Sequence, residues 1–499
     1  MAAQRPKPPM PLVVIMGTTG TGKSDVSVRH FEAEQKIPGM TDVLVLFVLV
    51  IQLAVELACR FNGEIVNADA MQMYRGLPVI TNKISAREQR GIPHHLFDQI
   101  GLEEETWDAG VFKREAGKLI SEIRQRGKLP IVVGGTHYYV NALLFNQSLV
   151  EETSEAAPPG ADTLTSNGRI TSPFPVLDGP TDAMLARLRE VDPVMADRWH
   201  PNDRRKIRRS LEIFLTTGKR ASDIYAEQQR EQDAKSASAE RQSSWQTLLF
   251  WVYSTPDILN GRLDRRVDKM LETGLLEETK EMHDYLNQRL RRGEEVDRSK
   301  GIWQSIGFKQ VEPYLEGLAR DMDPIGLEKV KQQSLEDVKT ATRRYAKYQI
   351  RWITKKTVPP LRQEGAMDHL YLLDSSDVSQ WPHKVAGTAA DITSAYLEGK
   401  EMPMPSSISE TAAQVLSSTV TASTDKGTPC RKTCEVCNVT ALTEELWAKH
   451  LKGRSHRAMV RHKKRVALVV REEVDESSHA EEQGRDVEEG VAGHAASSS

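Results

Sequence analysis

The residue pattern with the clearest chemical use in this 499-residue chain is a glycine-rich segment close to its start. The segment GTTGTGKS matches G-x-x-x-x-G-K-[ST] and directly follows Leu12–Met16, a short apolar run that predicts a strand. Its glycines allow successive backbone N–H groups to wrap around a phosphate, while the lysine neutralises charge and the serine hydroxyl ligates magnesium. The predicted phosphate-binding residues are Gly17, Thr18, Thr19, Gly20, Thr21, Gly22, Lys23 and Ser24. An ordinary turn is the alternative, and a nucleoside triphosphate is the default ligand.

Two further polar side chains follow predicted buried strands. Asp69 comes after the strand predicted at Glu64–Asn67, and Thr136 follows the strand predicted at Ile131–Val133 through paired glycines. Because the carboxyl ends of parallel strands meet at one edge of a sheet, we expect both side chains near the phosphate loop. Asp69 is a candidate magnesium ligand or general base, and Thr136 is a candidate donor to an anionic oxygen. For each of them, a helix N-cap is the alternative.

A second candidate site lies near the other end of the chain. Two residues separate Cys434 from Cys437, twelve separate Cys437 from His450, and five separate His450 from His456. Two cysteines and two histidines at this spacing predict a tetrahedral zinc site, and Cys430 lies outside the pattern. The local WxxHxxGxxH spelling resembles matrin-type zinc fingers, which are often associated with RNA.

The candidate residues need elements that hold them in place. Strand patterns alternate with helical patterns such as Phe112–Arg126, which predicts an α/β fold with a parallel sheet covered by helices on both faces. Further helical patterns are predicted at Thr181–Thr217, Asn260–Tyr285 and Leu335–Lys356. Glu151–Pro180 is rich in turn residues and predicts a loop.

The overall charge is nearly balanced, with 67 Lys and Arg against 70 Asp and Glu, which excludes a uniformly basic nucleic-acid binder. Two basic islands, Arg198–Arg220 and Arg431–Arg465, carry net charges of +6 and +7. They are candidate phosphate-binding surfaces, with a solvated helix face as the alternative. Arg471–Ser499 carries −7 with few apolar residues and is expected to be disordered.

Other classes of protein are also excluded. Four cysteines in a chain of this length exclude a disulfide scaffold. The longest apolar run, Val43–Ile51, is far shorter than the ~20 residues that span a bilayer, so we expect no membrane segment. The first residues lack an apolar secretory core but carry two basic residues and no acid, as a mitochondrial presequence does. We expect a cytoplasmic protein, a mitochondrial protein or both, and the basic tract Arg457–Arg465 adds a nuclear address as a further option.

Several motifs together resemble one family. In chain order they are GTTGTGKS, NADAMQMYRGLPVITNKI, PHHLFD, RGKLPIVVGGTHYYV, HPNDRRKIRRSLEIF, SIGFKQ and ATRRYAKYQIRW. They resemble the tRNA dimethylallyltransferases, also called tRNA isopentenyltransferases, over about Pro11–Lys356, and the finger is similar to that of eukaryotic, above all fungal, members. The resemblance implies a P-loop NTPase-like core that binds dimethylallyl diphosphate instead of ATP. It also implies transfer of the dimethylallyl group to the exocyclic N6 amine of adenosine 37, beside the tRNA anticodon.

The resemblance assigns roles to residues. Asp69 takes the place of the general base, Thr136 that of a donor to the bridging oxygen of the leaving diphosphate, and Arg266 that of a diphosphate-binding arginine. Neighbouring Arg262 and Arg265 are alternatives for the last role. The implied tRNA-contacting residues are Asp69, Ala70, Met71 and Gln72, and Arg205, Lys206, Ile207, Arg208 and Arg209. Magnesium would accompany the diphosphate, zinc would have a structural role, and the partner would be the anticodon arm of tRNA, bound by a monomer.

These considerations divide the chain into predicted domains. The predicted ranges are a catalytic core at 11–150, a helical tRNA-binding insertion at 181–250, the remainder of the core at 251–365, a flexible linker at 402–428, a zinc finger at 430–466 and an acidic tail at 471–499. The predicted core and insertion also have a consequence for the substrate. Since a base stacked in an anticodon arm cannot reach a deep site, the adenosine would have to be flipped out of the stack.

One segment departs from the family pattern. The helix expected directly after Asp25 is interrupted by Val26–Gln52, and joining Asp25 to Leu53 would create one apolar helical face. That face consists of Leu53, Leu57, Ala58 and Phe61. The segment's first two residues can be encoded by a splice-donor sequence, GTAAGT, its last by CAG, and its 27 codons keep the reading frame. We hypothesise a translated, unspliced intron whose deletion restores or raises activity, and a genuine surface insertion is the alternative.

The sequence leaves two alternative functions open. A P-loop kinase or NTPase is one, although recognisable nucleotide-base and lid motifs are lacking. A non-catalytic RNA-binding protein is the other, if the inserted segment destroys the site. Transfer to free adenine nucleotides is a variant of the prenyltransferase hypothesis, and the basic island and the finger favour a polynucleotide acceptor instead.

Overall fold

The computed structural model describes residues 8, 10–18, 49–104, 107–145, 174–236, 246–298, 300–421, 428–437 and 439–463. At its centre is a six-stranded sheet in which every neighbouring pair of strands is parallel. The strands are β1 (Leu12–Gly17), β2 (Gly63–Asn67), β3 (His94–His95), β4 (Leu129–Gly134), β5 (Thr247–Tyr253) and β6 (Leu370–Asp374). Their order is β3-β2-β4-β1-β5-β6, so β1 lies between β4 and β5.

Helices connect these strands and continue beyond them. In chain order they are α1 (Leu49–Phe61), α2 (Ala86–Gln89), α3 (Ala109–Gln125), α4 (His137–Leu144), α5 (Thr181–Val191), α6 (Pro193–Arg198), α7 (Arg204–Thr217), α8 (Ala221–Ser236), α9 (Pro256–Glu272), α10 (Leu275–Arg291), α11 (Phe308–Ala319), α12 (Pro324–Trp352), α13 (Val358–Gln363), α14 (Thr388–Glu398), α15 (Glu410–Thr421) and α16 (Glu444–Leu451). A separate antiparallel pair is formed by β7 (Pro429–Thr433) and β8 (Thr440–Thr443). Among the described residues, no helix is both long enough and apolar enough to cross a membrane.

The central sheet is buried on both faces, which is why its strands are almost continuously apolar. Successive side chains of β1 point to opposite sides. Val14 and Met16 enter one core with α3, α10, α13 and α15, whereas Val13 and Ile15 enter the other with α1 and α14. The predicted α/β fold, a parallel sheet with helices on both faces, is confirmed.

Glu64 joins three neighbouring segments at the β3 side of the sheet. Its side chain is 5% exposed and accepts hydrogen bonds from Arg126 (2.6 Å), Lys128 (2.9 Å) and His95 (2.7 Å). Burial by itself raises the pKa of the Glu64 carboxyl, but the three donors outweigh it and hold that pKa at about 2, below the ordinary 4.5. The cluster therefore ties β2 to β3 and to the turn that precedes β4.

Replacing Glu64 by glutamine is expected to lower the free energy of unfolding by about 2–3 kcal/mol at pH 7. Because the folded-state pKa lies below the ordinary value, this contribution is present above pH 4.5 and is lost as the pH falls towards about 2. Urea titrations across this range should give stabilities for the wild type and Glu64→Gln that converge at low pH. Glu115→Gln removes only surface ion pairs, with Arg114 and Lys118, and should cost less than about 1 kcal/mol. A difference that did not change with pH would contradict the assignment.

Three features of the core differ from the sequence predictions. The single helix predicted at Asn260–Tyr285 is divided into α9 and α10, because Gly274 adopts a φ of +108°, which no helix continues through. The predicted boundary at residue 250 falls inside the central strand β5. The core also extends past the predicted end at residue 365, since β6 and α14 belong to it.

The prediction of a flexible linker at 402–428 is wrong for the part that forms α15, Glu410–Thr421. Ala412 and Leu416 of this helix are buried in the core, and Val415 packs against it. Their spacing of three and four residues places them on one helix face, a signal that the Ser- and Thr-rich composition obscured. Residues 422–427 of the predicted linker lie outside the described residues, as do residues 151–173 of the loop predicted at 151–180 and the acidic tail.

The described residues fall into two units by their internal contacts. One unit contains the central sheet and the helices around it. The other combines the predicted helical insertion, from α5 to the first part of α8, with the predicted zinc-finger segment. Within this second unit, Arg431 donates to the Ala196 carbonyl and to Asp197, each at 3.1 Å, and a His200 ring nitrogen lies 3.1 Å from the Thr440 carbonyl oxygen. These contacts join residues more than 200 positions apart, so no local pattern in the sequence indicates them. For that reason the sequence analysis predicted two separate domains.

Candidate active site

The turn that carries Asp69 is tied to the end of β4. The Ala68 N–H donates to the Val133 carbonyl (2.8 Å), and the Thr136 N–H donates to the Ala68 carbonyl (3.2 Å). The Ala70 N–H donates to the Thr136 hydroxyl oxygen (3.0 Å), so this hydroxyl holds the turn and does not cap α4. The N-cap alternative for Thr136 is therefore wrong for its side chain. Since the hydroxyl oxygen only accepts in this bond, its own hydrogen is still available for donation.

Gly134 permits this close approach. A Cβ atom at Gly134 would lie 2.3 Å from the carbonyl carbon of Ala68 and 2.7 Å from the backbone nitrogen of Asp69. Both are backbone atoms, which cannot rotate away as a flexible side chain can. The glycine is therefore required by the contact between the β4 end and the Asp69 turn.

Replacing Gly134 by alanine is expected to move the Asp69 turn away from β4. We expect a stability loss of about 1–3 kcal/mol and, in the folded protein, a fall in catalytic rate of about 10²-fold, since a displacement near 1 Å has that effect. Thermal unfolding and single-turnover rates measure the two effects separately. Gly117→Ala on α3 is the matched control, because a Cβ there meets no atom of the described residues within 4 Å. A Gly134→Ala protein with wild-type rate would contradict the positional role of this glycine.

Asp69 is held in one orientation at this turn. Its Oδ1 accepts from the Met71 N–H (3.0 Å), and its backbone N–H and C=O both bond to the side chain of Asn67 (3.1 and 3.0 Å). Burial raises the pKa of the Asp69 carboxyl, although the Met71 N–H and the charge of Arg266 act in the opposite direction. One carboxylate oxygen thus caps the turn, and the raised pKa makes the group a stronger base than an exposed aspartate.

Arg266 reaches the same place from α9. The residue is buried and interacts electrostatically with Asp69, and burial lowers the pKa of its guanidinium to about 10, so it stays a cation at neutral pH. Arg265 is exposed, and Arg262 donates to the Ser254 hydroxyl (2.7 Å). Of the three arginines that the sequence left open, Arg266 is therefore the one that the structure brings to Asp69.

A cavity of about 290 Å³ opens at this edge of the sheet, with Asp69 and Arg266 in its wall. Gln72 also lines it, and the Oε1 atom of Gln72 is buried without a hydrogen-bond partner among the described residues. The cavity is thus lined by a carboxylate, a guanidinium and an amide acceptor.

Helix α12 supplies a wall that sequence reasoning missed. Val338, Thr342 and Tyr345 line the cavity, and Gln349 donates to the Gly135 carbonyl (2.9 Å), which fixes the turn after β4. These four residues recur at intervals of four, three and four, so they share one face of the helix. Thr342, Tyr345 and Gln349 lie within the motif ATRRYAKYQIRW and Val338 lies just before it, and this spacing was the signal that could have identified them.

The phosphate loop is only partly described. Gly17 and Thr18 line the cavity. The predicted ligands Thr19, Gly20, Thr21, Gly22, Lys23 and Ser24 lie outside the described residues. So do residues 26–48 of the inserted segment, whereas Leu49–Gln52 form the first turn of α1.

The predicted tRNA-contacting run lies at the start of α7, where Asp203 caps the helix. Arg205 and Lys206 are exposed, and the Lys206 ammonium lies 5.1 Å from the centre of the Trp199 ring. Ile207 is fully buried, so its side chain is not available to RNA, and a tRNA contact at this position stays a prediction for its backbone alone. Arg208 and Arg209 are partly exposed and complete the cationic face of this turn.

The predicted metal ligands come together. One ligand atom from each of Cys434, Cys437, His450 and His456 lies within 4.8 Å of the others, and Cys430 is not part of the group. The Nε2 atom of His450 is buried and has no hydrogen-bond partner among the described residues. Four converging N and S atoms, one of them without another partner, fit a tetrahedral metal ion such as zinc.

Comparisons of the sequence and of the structure with known proteins point to one family. A family model described as IPP transferase matches residues 72–356. The tRNA dimethylallyltransferases of Saccharomyces cerevisiae and Schizosaccharomyces pombe are each 34% identical, covering 91% and 92% of this chain and 93% and 96% of their own lengths. A solved structure, of a eukaryotic dimethylallyltransferase acting on tRNA, matches with a TM-score of 0.67 and 32% identity, over 92% of this chain and 98% of that one. The predicted resemblance is confirmed, and the chain belongs to the IPP transferase family, in which the relatives named here are tRNA dimethylallyltransferases.

Proposed function

We propose that the chain transfers the dimethylallyl group of dimethylallyl diphosphate to the N6 amine of adenosine 37 in tRNA. The observation that carries this proposal is the buried Arg266 cation facing Asp69 in one cavity at the strand ends. A cation beside a carboxylate of raised pKa suits a reaction in which an anion leaves and an amine loses a proton.

In this reaction Asp69 acts on the nucleophile. The exocyclic amine of adenine is a weak nucleophile, and positive charge grows on N6 as its bond to the dimethylallyl carbon forms. Asp69 accepts the N6 proton while the bond between that carbon and the diphosphate oxygen breaks. The Met71 N–H keeps Oδ1 in place, so the carboxylate does not have to reorient during the transfer.

The leaving group takes the negative charge. Arg266 neutralises part of it, and the Thr136 hydroxyl donates its hydrogen to the bridging oxygen. Gly17–Ser24 would hold the diphosphate through backbone N–H groups and Lys23. A magnesium ion bound with the diphosphate, held by the Ser24 hydroxyl, would supply further neutralisation.

The acceptor enters as a flipped base. We infer that Asp69–Gln72 contact the adenosine and that Arg205, Lys206, Arg208 and Arg209 hold backbone phosphates of the anticodon arm. The Oε1 atom of Gln72, which has no hydrogen-bond partner in the described part of the chain, is suited to accept a hydrogen bond from a base.

The test is incubation of the chain, with and without Val26–Gln52, with an unmodified tRNA transcript and labelled dimethylallyl diphosphate. We expect label at adenosine 37, little transfer to a transcript with guanosine at that position, and little transfer to free adenosine monophosphate. Transfer to the mononucleotide at the tRNA rate would instead favour the free-nucleotide variant. Turnover of ATP in place of the isoprenoid would support the kinase alternative, which the relatives named above do not favour.

We further infer that the four-ligand cluster holds one zinc ion. The purified chain is expected to contain about one zinc per molecule by elemental analysis, and Cys434→Ser is expected to contain almost none. Cys430→Ser, outside the cluster, is the matched control and should keep its zinc. Equal zinc content in both variants would contradict the assignment.

A further inference from the structure

The first turn of α1 has an unusual composition for a helix that begins at a phosphate site. This helix packs on β1, β2 and β4, and its first turn lies beside the end of β1. Val50 and Ile51 line the cavity, and the Val50 Cγ2 atom lies 2.6 Å from the position of a Cβ at Gly17. A helix N-terminus favours an anion, but these two side chains carry neither charge nor a hydrogen-bond donor.

The length of the inserted segment relates this turn to the phosphate motif. Val26–Gln52 contains 27 residues. If Asp25 is joined directly to Leu53, each residue before the junction takes the position in α1 that the residue numbered 27 higher has in the full chain. In that frame Lys23 takes the place of Val50, Ser24 that of Ile51, and Asp25 that of Gln52. The two helix positions that face the cavity then receive the cation and the hydroxyl, and the exposed position of Gln52 receives a carboxylate.

The rest of the helix is unaffected by this change of frame. Leu53, Leu57 and Ala58 are buried, and Phe61 packs against the same core, so the apolar face predicted for the joined helix is the face observed. The body of α1 therefore fits the sheet whether residues 49–52 or residues 22–25 form its first turn.

We propose that the α1 positions of Val50 and Ile51 are the diphosphate-binding positions of this site, and that Val26–Gln52 replaces their proper occupants, Lys23 and Ser24. The inference rests on the proposed function and specifies which form of the chain performs it. The chain with the segment binds the diphosphate of the donor weakly, and the chain in which Asp25 precedes Leu53 binds it well.

The experiment measures binding of inorganic diphosphate, in the presence of magnesium, by titration calorimetry. Deleting Val26–Gln52 is expected to tighten the Kd about 10- to 100-fold, the effect of one or two charge-assisted hydrogen bonds. In the full chain, Val50→Lys with Ile51→Ser should recover part of that gain. Gln52→Asp, at the exposed position, is the matched control for a charge change in the same turn and should bind as the full chain does.

The Lys23→Ala substitution, made in both forms of the chain, tests whether Lys23 binds the diphosphate only when the segment is deleted. Lys23→Ala should weaken binding much more in the deletion variant than in the full chain. Equal diphosphate affinity of the full chain and the folded deletion variant would overturn the inference, and so would equal losses on Lys23→Ala in both. If the deletion variant does not fold, failure of the Val50→Lys, Ile51→Ser chain to gain affinity would overturn it instead. A deletion variant that gains diphosphate affinity but does not modify tRNA would uphold this inference and contradict the proposed function.

Discussion

Asp69→Asn is expected to lower the rate of dimethylallyl transfer by about 10²- to 10⁴-fold, the range typical for loss of a general base. Asparagine has nearly the same shape and can still accept from the Met71 N–H, so the turn and its bonds to β4 should persist. What disappears is the group that accepts the N6 proton. Single-turnover transfer to tRNA measures the rate, and tRNA affinity measured in parallel should change little.

The pH dependence provides a second measurement on the same variant. Burial raises the pKa of Asp69, and only the ionised carboxylate is a base, so the wild-type rate should rise with pH through that raised pKa. The rising limb should be absent from Asp69→Asn. Asp391→Asn, on the exposed side of α14, is the control. A rate close to wild type, or an unchanged rising limb, would remove Asp69 from the mechanism.

Arg266→Met is expected to lower transfer by about 10²- to 10³-fold, because the leaving diphosphate loses a preorganised cation. It should also raise the pKa of Asp69 further, since the charge of Arg266 opposes the effect of burial on that pKa. The rising limb of the pH–rate profile should therefore move to higher pH. A loss of rate without this movement would mean that Arg266 acts on the diphosphate alone.

Comparison with neighbouring positions tests the choice among the arginines. Arg265→Met changes an exposed residue of the same helix and should leave transfer near the wild-type rate. The double variant Asp69→Asn, Arg266→Met should be less impaired than the product of the two single effects, because the residues interact directly. Independent effects that simply multiply would contradict the pairing on which the proposed function depends.

Much of the site was predictable because its parts are local patterns. The strand–glycine loop sequence, the polar residues at two further strand ends and the zinc-ligand spacing each depend on residues close together in the chain. Short-range connectivity fixes such patterns. For this reason the sequence predicted that Asp69 and Thr136 would lie at neighbouring strand ends and, separately, that the four Cys and His side chains would converge, and the structure shows both arrangements.

Other features depended on contacts between distant parts of the chain. Gln349 holds the Gly135 carbonyl across 214 residues, and Arg431 holds Ala196 across 235. No local pattern records which helix faces which strand end, so the α12 wall and the joining of finger to insertion were missed. The same reason explains why Arg262 and Arg265 stayed alternatives to Arg266 on the sequence, which does not show how α9 packs against the sheet.

The sequence by itself determined the kind of chemistry, because the residue types needed for phosphate, proton and metal binding occur at characteristic spacings. The tertiary structure decided which of those residues meet. It brought Arg266 rather than Arg262 or Arg265 to Asp69, and it placed Val50 and Ile51 in the first turn of α1. Both outcomes follow from burial, since packing an apolar helix face against the sheet sets its rotation and thereby selects the side chains that reach the cavity.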